Sequence, residues 1–205
     1  MNMEDKPVIV LDAGGVLVDY DERIVFEELE KRYHRTVEQS FGCEIESLFA
    51  PVQIGRASFE DTVSELNRML GIGLAPEAWQ DLWRKMIIGE MPGMRAALTA
   101  LKPRYKLVAL SNTIAAHWDY LLRSFPIFNL LDGWAASHIE GFVKPDAQIY
   151  RRVESRFCGG CPPFFFTDDT PSHVTAARNL AWKAEVFKGT GDFVENVHRI
   201  AVQDQ

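Results

Sequence analysis

Short apolar runs alternate with helical patterns of apolar residues over most of the chain. The first run, Val8–Leu11, is β-branched, continuous and followed directly by Asp12, which predicts a strand buried on both faces. Beyond residue 92, four further apolar runs predict strands, at 107–110, 134–136, 164–167 and 184–187. Helical spacing between them predicts helices near 94–101, 114–125, 145–157, 171–180 and 193–200. Strands separated by helices of this length indicate an α/β fold whose parallel sheet carries helices on both faces.

The region between residues 21 and 91 has a different pattern, with helical periodicity and little strand signal. Apolar residues recur at helical spacing in Val25–Tyr33, Phe59–Leu70 and Pro76–Ile87. We therefore expect an all-α domain, residues 21–91, inserted into an α/β core formed by residues 1–20 and 92–205. The tryptophans of the third stretch allow a ligand-stacking surface, but core contacts within a helical bundle are the favoured interpretation.

Composition and charge exclude several classes of protein. The formal net charge is −7 and no run of Lys or Arg exceeds a pair, which argues against a nucleic-acid partner. No apolar run reaches the roughly 18 residues of a membrane helix, and the amino terminus lacks a signal-peptide pattern. We therefore expect a cytoplasmic protein without a membrane partner.

The cysteines suggest no disulfide framework, because there are three of them. Cys158-Gly-Gly-Cys161 allows a redox or zinc interpretation, but one such pair supplies only half of a zinc site. A plain loop leading into the next strand is the favoured interpretation.

Polar residues follow several of the predicted strands, at the edge where a doubly wound sheet binds its ligands. If the strands are neighbours, these groups converge: Asp12, Ser111, Asn112, Lys144, Asp168 and Asp169. Clustered carboxylates repel one another unless a cation lies among them, and oxygen ligands suit Mg²⁺. With a lysine and a hydroxyl beside them, such carboxylates favour phosphoryl transfer, in which an aspartate attacks phosphorus.

Four ordered segments carry a specific resemblance. VIVLDAGGVLVD, LVALSNT, GFVKPD and FFFTDDTPSHVTAA resemble the four motifs of the haloacid-dehalogenase superfamily, in the same order. The resemblance implies a Rossmann-like α/β core, and the helical insertion resembles the cap of subclass I. The Asp-x-Gly-Gly and Ser-Asn-Thr forms are most similar to the branch that holds glucose-1-phosphate phosphatases and the phosphatase domain of epoxide hydrolases.

The resemblance implies a role for each matching residue. The nucleophile and a metal ligand would be Asp12, and the carbonyl of Gly14 would be a second ligand. Asp169 would coordinate the metal directly and Asp168 less directly. The phosphate would be held by the remaining matches, with Lys144 also neutralising the aspartyl-phosphate: Gly15, Ser111, the Asn112 amide and Lys144.

Two positions depart from the pattern or are open to interpretation. Most phosphatases of the superfamily carry a general acid where this chain has Gly14, and a glycine cannot protonate a leaving alcohol. The most similar branch shows the same replacement. His173 would supply the missing proton, contact the metal shell, or simply face solvent at a helix start.

The expected function is a magnesium-dependent hydrolase of phosphate monoesters, acting on a small phosphorylated metabolite. The branch implies a sugar phosphate. A catalytically degenerate binding or regulatory protein is the alternative that Gly14 supports. Dehalogenation is disfavoured because dehalogenases of this fold lack the paired acids. Candidates for substrate recognition are Tyr20, Arg23, Arg56 and His117.

Overall fold

The computed structural model of the protein describes residues 6–34 and 39–203, without the side chains of residues 39–43 and 46. The strands in this part of the chain are β1 (Val8–Leu11), β2 (Val18–Tyr20), β3 (Ile87–Glu90), β4 (Lys106–Ser111), β5 (Gly133–Ala136), β6 (Phe165–Asp168) and β7 (Ala184–Val186). Five of them form one sheet in the order β5-β4-β1-β6-β7, and every pairing in it is parallel. The predicted parallel sheet is confirmed.

The helices of the described residues surround this sheet and fill the segment between β2 and β3. They are α1 (Arg23–Tyr33), α2 (Gln39–Gln53), α3 (Phe59–Leu70), α4 (Pro76–Arg84), α5 (Met94–Leu101), α6 (Ala115–Ser124), α7 (Ser137–Glu140), α8 (Ala147–Phe157), α9 (Pro171–Asn179) and α10 (Thr190–Gln203). A 3₁₀ helix spans Pro126–Leu130. Ser58 caps the start of helix α3, where its hydroxyl accepts a hydrogen bond from the amide of Asp61, and Gly71 caps the end in the left-handed region.

The two faces of the sheet bury separate apolar layers because side chains alternate along each strand. In β1, Ile9 and Leu11 pack against one layer with α5, α6 and α10, while Val8 and Val10 pack against the other with α8 and α9. Helices lie on both faces, so β1 is buried throughout. This explains why its sequence is apolar without alternation.

Helices α1–α4 form a third apolar cluster around residues such as Leu29, Leu66 and Trp79. Two short strands lie where the chain enters and leaves this helical segment: β2 and β3 pair antiparallel, with Val18 opposite Glu90. The prediction that this helix continues to Ile87 is wrong, because α4 ends at Arg84 and Ile87 belongs to β3. No helix within the described ranges is long and apolar enough to span a bilayer.

Candidate active site

The strand order places the polar residues of the motifs at one edge of the sheet. Strand β1 lies at the centre, with β4 on one side and β6 on the other, and their carboxyl ends lead to Asp12, Ser111 and Asp168. Connections leave β1 and β6 on either side of this point, which is where doubly wound folds bind ligands. A cavity of about 390 Å³ opens here and is lined by six predicted site residues: Asp12, Gly14, Ser111, Asn112, Lys144 and Asp169.

Lys144 lies at the centre of the cluster, with its side chain 1% exposed. Its Nζ lies 2.8 Å from Oδ1 of Asp12 and 2.6 Å from Oδ2 of Asp168, and it donates to the carbonyl of Leu110 at 3.0 Å. Burial alone would lower the pKa of Lys144, but the charges of Asp12 and Asp168 raise it above its ordinary value. The lysine is therefore a fixed cation shared by two buried carboxylates.

Asp12, at the end of β1, is held by its neighbours in one orientation. Its Oδ1 accepts a hydrogen bond from the amide of Ala13 at 2.7 Å, and its own amide donates to the carbonyl of Thr167 at 3.0 Å. Burial raises the pKa of the Asp12 carboxyl, and the attraction of Lys144 offsets this only in part.

His173 contacts Asp168 rather than solvent. Its Nδ1 lies 3.0 and 3.1 Å from the two carboxylate oxygens of Asp168, and its side chain is 15% exposed. The interpretation of His173 as a solvent-facing residue at a helix start is therefore wrong. Burial would raise the pKa of Asp168, but Lys144 and His173 lower it, so this buried carboxylate stays charged between two cationic or donor groups.

Asp169 is the carboxylate of the site that lacks a cation. Among the described residues, no Lys, Arg or His forms an ion pair with it, and burial followed by the charge of Asp168 raises its pKa. A Cβ on Gly15, whose φ is +69°, would lie 2.2 Å from Oδ2 of Asp169, so only glycine lets this carboxylate approach the turn after β1.

The donor chemistry of the cluster fits a divalent cation. Two carboxylates, those of Asp12 and Asp168, contact one lysine, and their oxygen atoms lie with a ring nitrogen of His173 within 4.8 Å of one another. His173 and both oxygens of Asp168 already have partners, whereas Asp169 has none of opposite charge. Mg²⁺ prefers such oxygen ligands and would offset the excess negative charge.

Asn112 holds the backbone of Lys144, and Ser137, the first residue of α7, holds the loop after β4 that carries Asn112. The Asn112 amide group donates to the carbonyl of Lys144 at 2.9 Å, and its oxygen accepts from the Lys144 amide at 2.7 Å. Ser137, which the sequence did not single out, is fully buried and hydrogen-bonds both backbone groups of Thr113 at 2.9 and 3.0 Å. A lone serine after a short strand carries no sequence signal for this role.

The ring of Tyr20 lies over Gly14. A Cβ on Gly14 would lie 3.2 Å from Cε1 of Tyr20, tighter than an ordinary contact, so the ring takes the space that a longer side chain at this position would need. Burial, followed by the charge of Asp169, raises the pKa of Tyr20 to about 12, which keeps its hydroxyl protonated. The space that the side chain of a general acid would fill at position 14 is therefore occupied by the neutral ring of Tyr20.

The candidates for substrate recognition divide into two groups. Tyr20 and His117 line the cavity. Arg23 is 82% exposed and pairs with Asp21, and Arg56 is exposed. Neither arginine lines the cavity.

The free thiols of Cys158 and Cys161 lie in a turn, as the loop interpretation expects, and burial raises the pKa of Cys158 to about 11.

Comparison with known proteins identifies relatives by sequence family and by fold. Residues 6–181 match the family described as haloacid dehalogenase-like hydrolase. No curated protein sequence matches the chain.

Several solved structures share the fold at low sequence identity. A HAD family enzyme, BT-2542 from Bacteroides thetaiotaomicron, superposes with a TM-score of 0.81 at 20% identity, covering 93% of this chain and 97% of the other. It has also been solved in complex with magnesium and inorganic phosphate. A predicted HAD-like hydrolase from Porphyromonas gingivalis gives 0.79 at 23% identity, covering 96% and 98%. L-2-haloacid dehalogenase from Xanthobacter autotrophicus gives 0.62 at 19% identity, covering 87% and 76%.

Proposed function

Because the chain belongs to the haloacid dehalogenase-like hydrolase family, we propose that it is a magnesium-dependent phosphatase acting on a small phosphorylated metabolite. The observation that carries the proposal is the buried pair of Asp12 and Lys144 beside an Asp169 that lacks a cationic partner. A fold relative, BT-2542, is known in complex with magnesium and inorganic phosphate, which supports the same chemistry here.

Asp12 is the proposed nucleophile. One oxygen of its carboxylate attacks phosphorus, the bond from phosphorus to the leaving oxygen breaks, and an aspartyl-phosphate forms. Water then attacks this phosphorus and releases inorganic phosphate and the free carboxylate. Lys144 neutralises charge on the transferring oxygens, and Ser111, Gly15 and the Asn112 amide hold them.

The proposed magnesium ligands are Asp12, the carbonyl of Gly14 and Asp169, with Asp168 acting indirectly. When bound, the cation lets the anionic carboxylate and the anionic phosphate approach each other. Asp168 has a positioning role, because its oxygens are already engaged by Lys144 and His173. These paired acids favour phosphoryl transfer over the dehalogenation performed by the Xanthobacter relative.

The leaving oxygen takes its proton from water or from the substrate itself, because Gly14 has no side chain to supply one. Substrate exchange is assigned to the helical cap, residues 21–91, moving on the core formed by 1–20 and 92–205. The β2–β3 pair is the natural hinge, since both chain connections between the two parts run through it.

Hydrolysis of p-nitrophenyl phosphate with and without Mg²⁺ tests the proposal, because this leaving group needs little protonation. Wild type should turn over only with Mg²⁺, and Asp12→Asn should remove the activity. The matched control is Asp119→Asn, which changes an acid whose side chain is 62% exposed. Absence of turnover by folded, Mg²⁺-saturated wild type would instead favour the degenerate binding or regulatory protein.

A further inference from the structure

The cavity above Asp12 and Lys144 continues into helices α1–α4, where its walls are mostly apolar. All four helices contribute side chains, and β3 and the loop before α6 add more. Representative wall residues are Phe26, Leu29, Phe49, Trp83, Met86 and Ile114. From this lining we infer that the substrate is a phosphate monoester whose leaving group is apolar and ring-sized, which refines the proposed phosphatase function and rests on it.

In the described part of the chain, the lining offers no unpaired lysine or arginine to a second anionic group on the substrate. Among the described residues that line the cavity, Lys144 is the one lysine or arginine, and it already pairs with Asp12 and Asp168. His117 adds no cation at neutral pH, because burial, followed by the charge of Arg84, lowers its pKa to about 4. A second phosphate or a carboxylate on the substrate would therefore be desolvated without a partner.

The same lining is poor in hydrogen-bonding groups for a polyhydroxylated sugar. Away from the catalytic edge, the polar lining side chains of the described chain are few: Tyr20, Glu22, Gln53, Thr113 and His117. Each sugar hydroxyl that enters such a cavity without a partner loses its hydrogen bonds to water. A ring without hydroxyls loses none, and it gains from the removal of apolar surface from water.

Trp83 supplies a rigid aromatic wall. Its ring centroid lies 4.8 Å from that of Phe49 and 5.3 Å from that of Phe59, both in edge-on geometry, and 5.7 Å from His117. Trp79, by contrast, is 1% exposed and donates a hydrogen bond to Asn67, as a core residue does. Both tryptophans line the cavity, but Trp83 is half-buried and exposes more of its ring there than Trp79 does.

The cavity is large enough for this substrate class. An apolar cavity of ~150 Å³ is enough to hold benzene. The volume of about 390 Å³ therefore accommodates a phosphate at the catalytic edge and a ring between the helices.

Two esters of primary alcohols provide the test, because their leaving groups differ in polarity far more than in acidity. The holoprotein with Mg²⁺ is assayed for phosphate release from benzyl phosphate and glucose 6-phosphate, with acetyl phosphate as a small reference substrate. We expect kcat/KM for benzyl phosphate to exceed that for glucose 6-phosphate by at least about tenfold, the scale of apolar-pocket selectivity. Equal values, or a preference for glucose 6-phosphate, would overturn the inference while leaving the phosphatase function intact.

Variants locate the selectivity in the cavity. Trp83→Ala and Ile87→Ala should each lower the ratio of kcat/KM for benzyl phosphate to that for acetyl phosphate, by about tenfold for Trp83→Ala. The control is Ile88→Ala, which changes the residue next to Ile87 on β3; it is 61% exposed and should leave the ratio unchanged. An unchanged ratio in Trp83→Ala would overturn the assignment. Absence of Mg²⁺-dependent turnover of all three phosphate compounds by wild type would overturn the phosphatase function and this inference with it.

Discussion

Replacement of Lys144 by methionine tests whether this lysine stabilises the folded protein in addition to its proposed catalytic role. Methionine keeps most of the length of the side chain but removes the ammonium that lies 2.8 Å from Asp12 and 2.6 Å from Asp168. The Asp12 and Asp168 side chains are 11% and 0% exposed, so water replaces little of the lost interaction at Asp12 and none at Asp168. Breaking a buried pair by removal of one member costs ~3–5 kcal/mol, and we expect the free energy of unfolding to fall by that amount.

The surface pair of Lys85 and Glu28 provides the matched control. Its N···O distance is 2.7 Å, but the lysine side chain is 42% exposed. Exposed pairs of this kind contribute about 0–1 kcal/mol, so Lys85→Met should be nearly neutral. Both variants are compared with wild type by urea denaturation without metal, where the Lys144→Met midpoint should drop by more than about 1 M.

The pH dependence of the loss has a definite sign. Burial already raises the pKa of Asp12 above its unfolded value, and loss of Lys144 raises it further. A folded-state pKa that is raised for an acid favours the folded state below the unfolded pKa and loses that contribution as pH rises. The deficit of Lys144→Met should therefore shrink between pH 7.5 and pH 5. A deficit below about 1 kcal/mol at pH 7.5, or one equal to that of Lys85→Met, would refute the reasoning.

Two further predictions concern a glycine and a histidine. Gly15→Ala should lower Mg²⁺ affinity and activity, because the new Cβ would lie 2.2 Å from Oδ2 of Asp169. The control is Gly141→Ala: its φ is +78° and no atom lies within 4 Å of the new Cβ, so it shows the cost of the backbone angle alone. Equal effects of the two changes on Mg²⁺ titration would contradict the clash. Burial, followed by the charge of Arg84, lowers the pKa of His117 to about 4, so its own contribution to the free energy of unfolding should fall by about 2 kcal/mol from pH 7.5 to pH 5, because the unfolded chain takes up the proton first. The raised pKa of Asp12 acts in the opposite direction in both proteins, so the measurement is the difference between wild type and His117→Gln in urea denaturation. From pH 7.5 to pH 5 the variant should gain about 2 kcal/mol relative to wild type, and a difference that does not change with pH would contradict the assignment.

The sheet and the position of the site were predictable because they depend on strong local signals. Val8–Leu11 and Phe164–Phe166 are continuous apolar runs, as strands covered on both faces require, and an acid follows each within two residues at the ligand-binding edge. The short strands β2 and β3 were missed. Residues 18–20 and 87–90 are too brief for a period, and the helical spacing of α4 continues past its end at Arg84.

The finer arrangement of the site could not be read from sequence because it depends on how side chains pack in three dimensions. That His173 at the start of α9 hydrogen-bonds Asp168, and that the ring of Tyr20 on β2 covers Gly14, follows from the directions that the chain takes after β6 and β1. Likewise, spacing identifies Trp79 and Trp83 equally well as apolar helix positions. Both line the cavity, and only packing shows that Trp79 is almost fully buried whereas Trp83 is partly exposed.

The pairing of β2 with β3 has a consequence for how this architecture can vary. Because Val18 lies opposite Glu90, the chain leaves the core and returns to it at adjacent points. Both connections to the helical insertion run through the antiparallel pair β2–β3. Lengthening, shortening or exchanging the intervening helices therefore need not disturb the register of the five parallel strands. The architecture is in this sense modular. The helical insertion that lines the substrate cavity can change, and with it the substrate specificity, while the catalytic residues on the sheet stay the same.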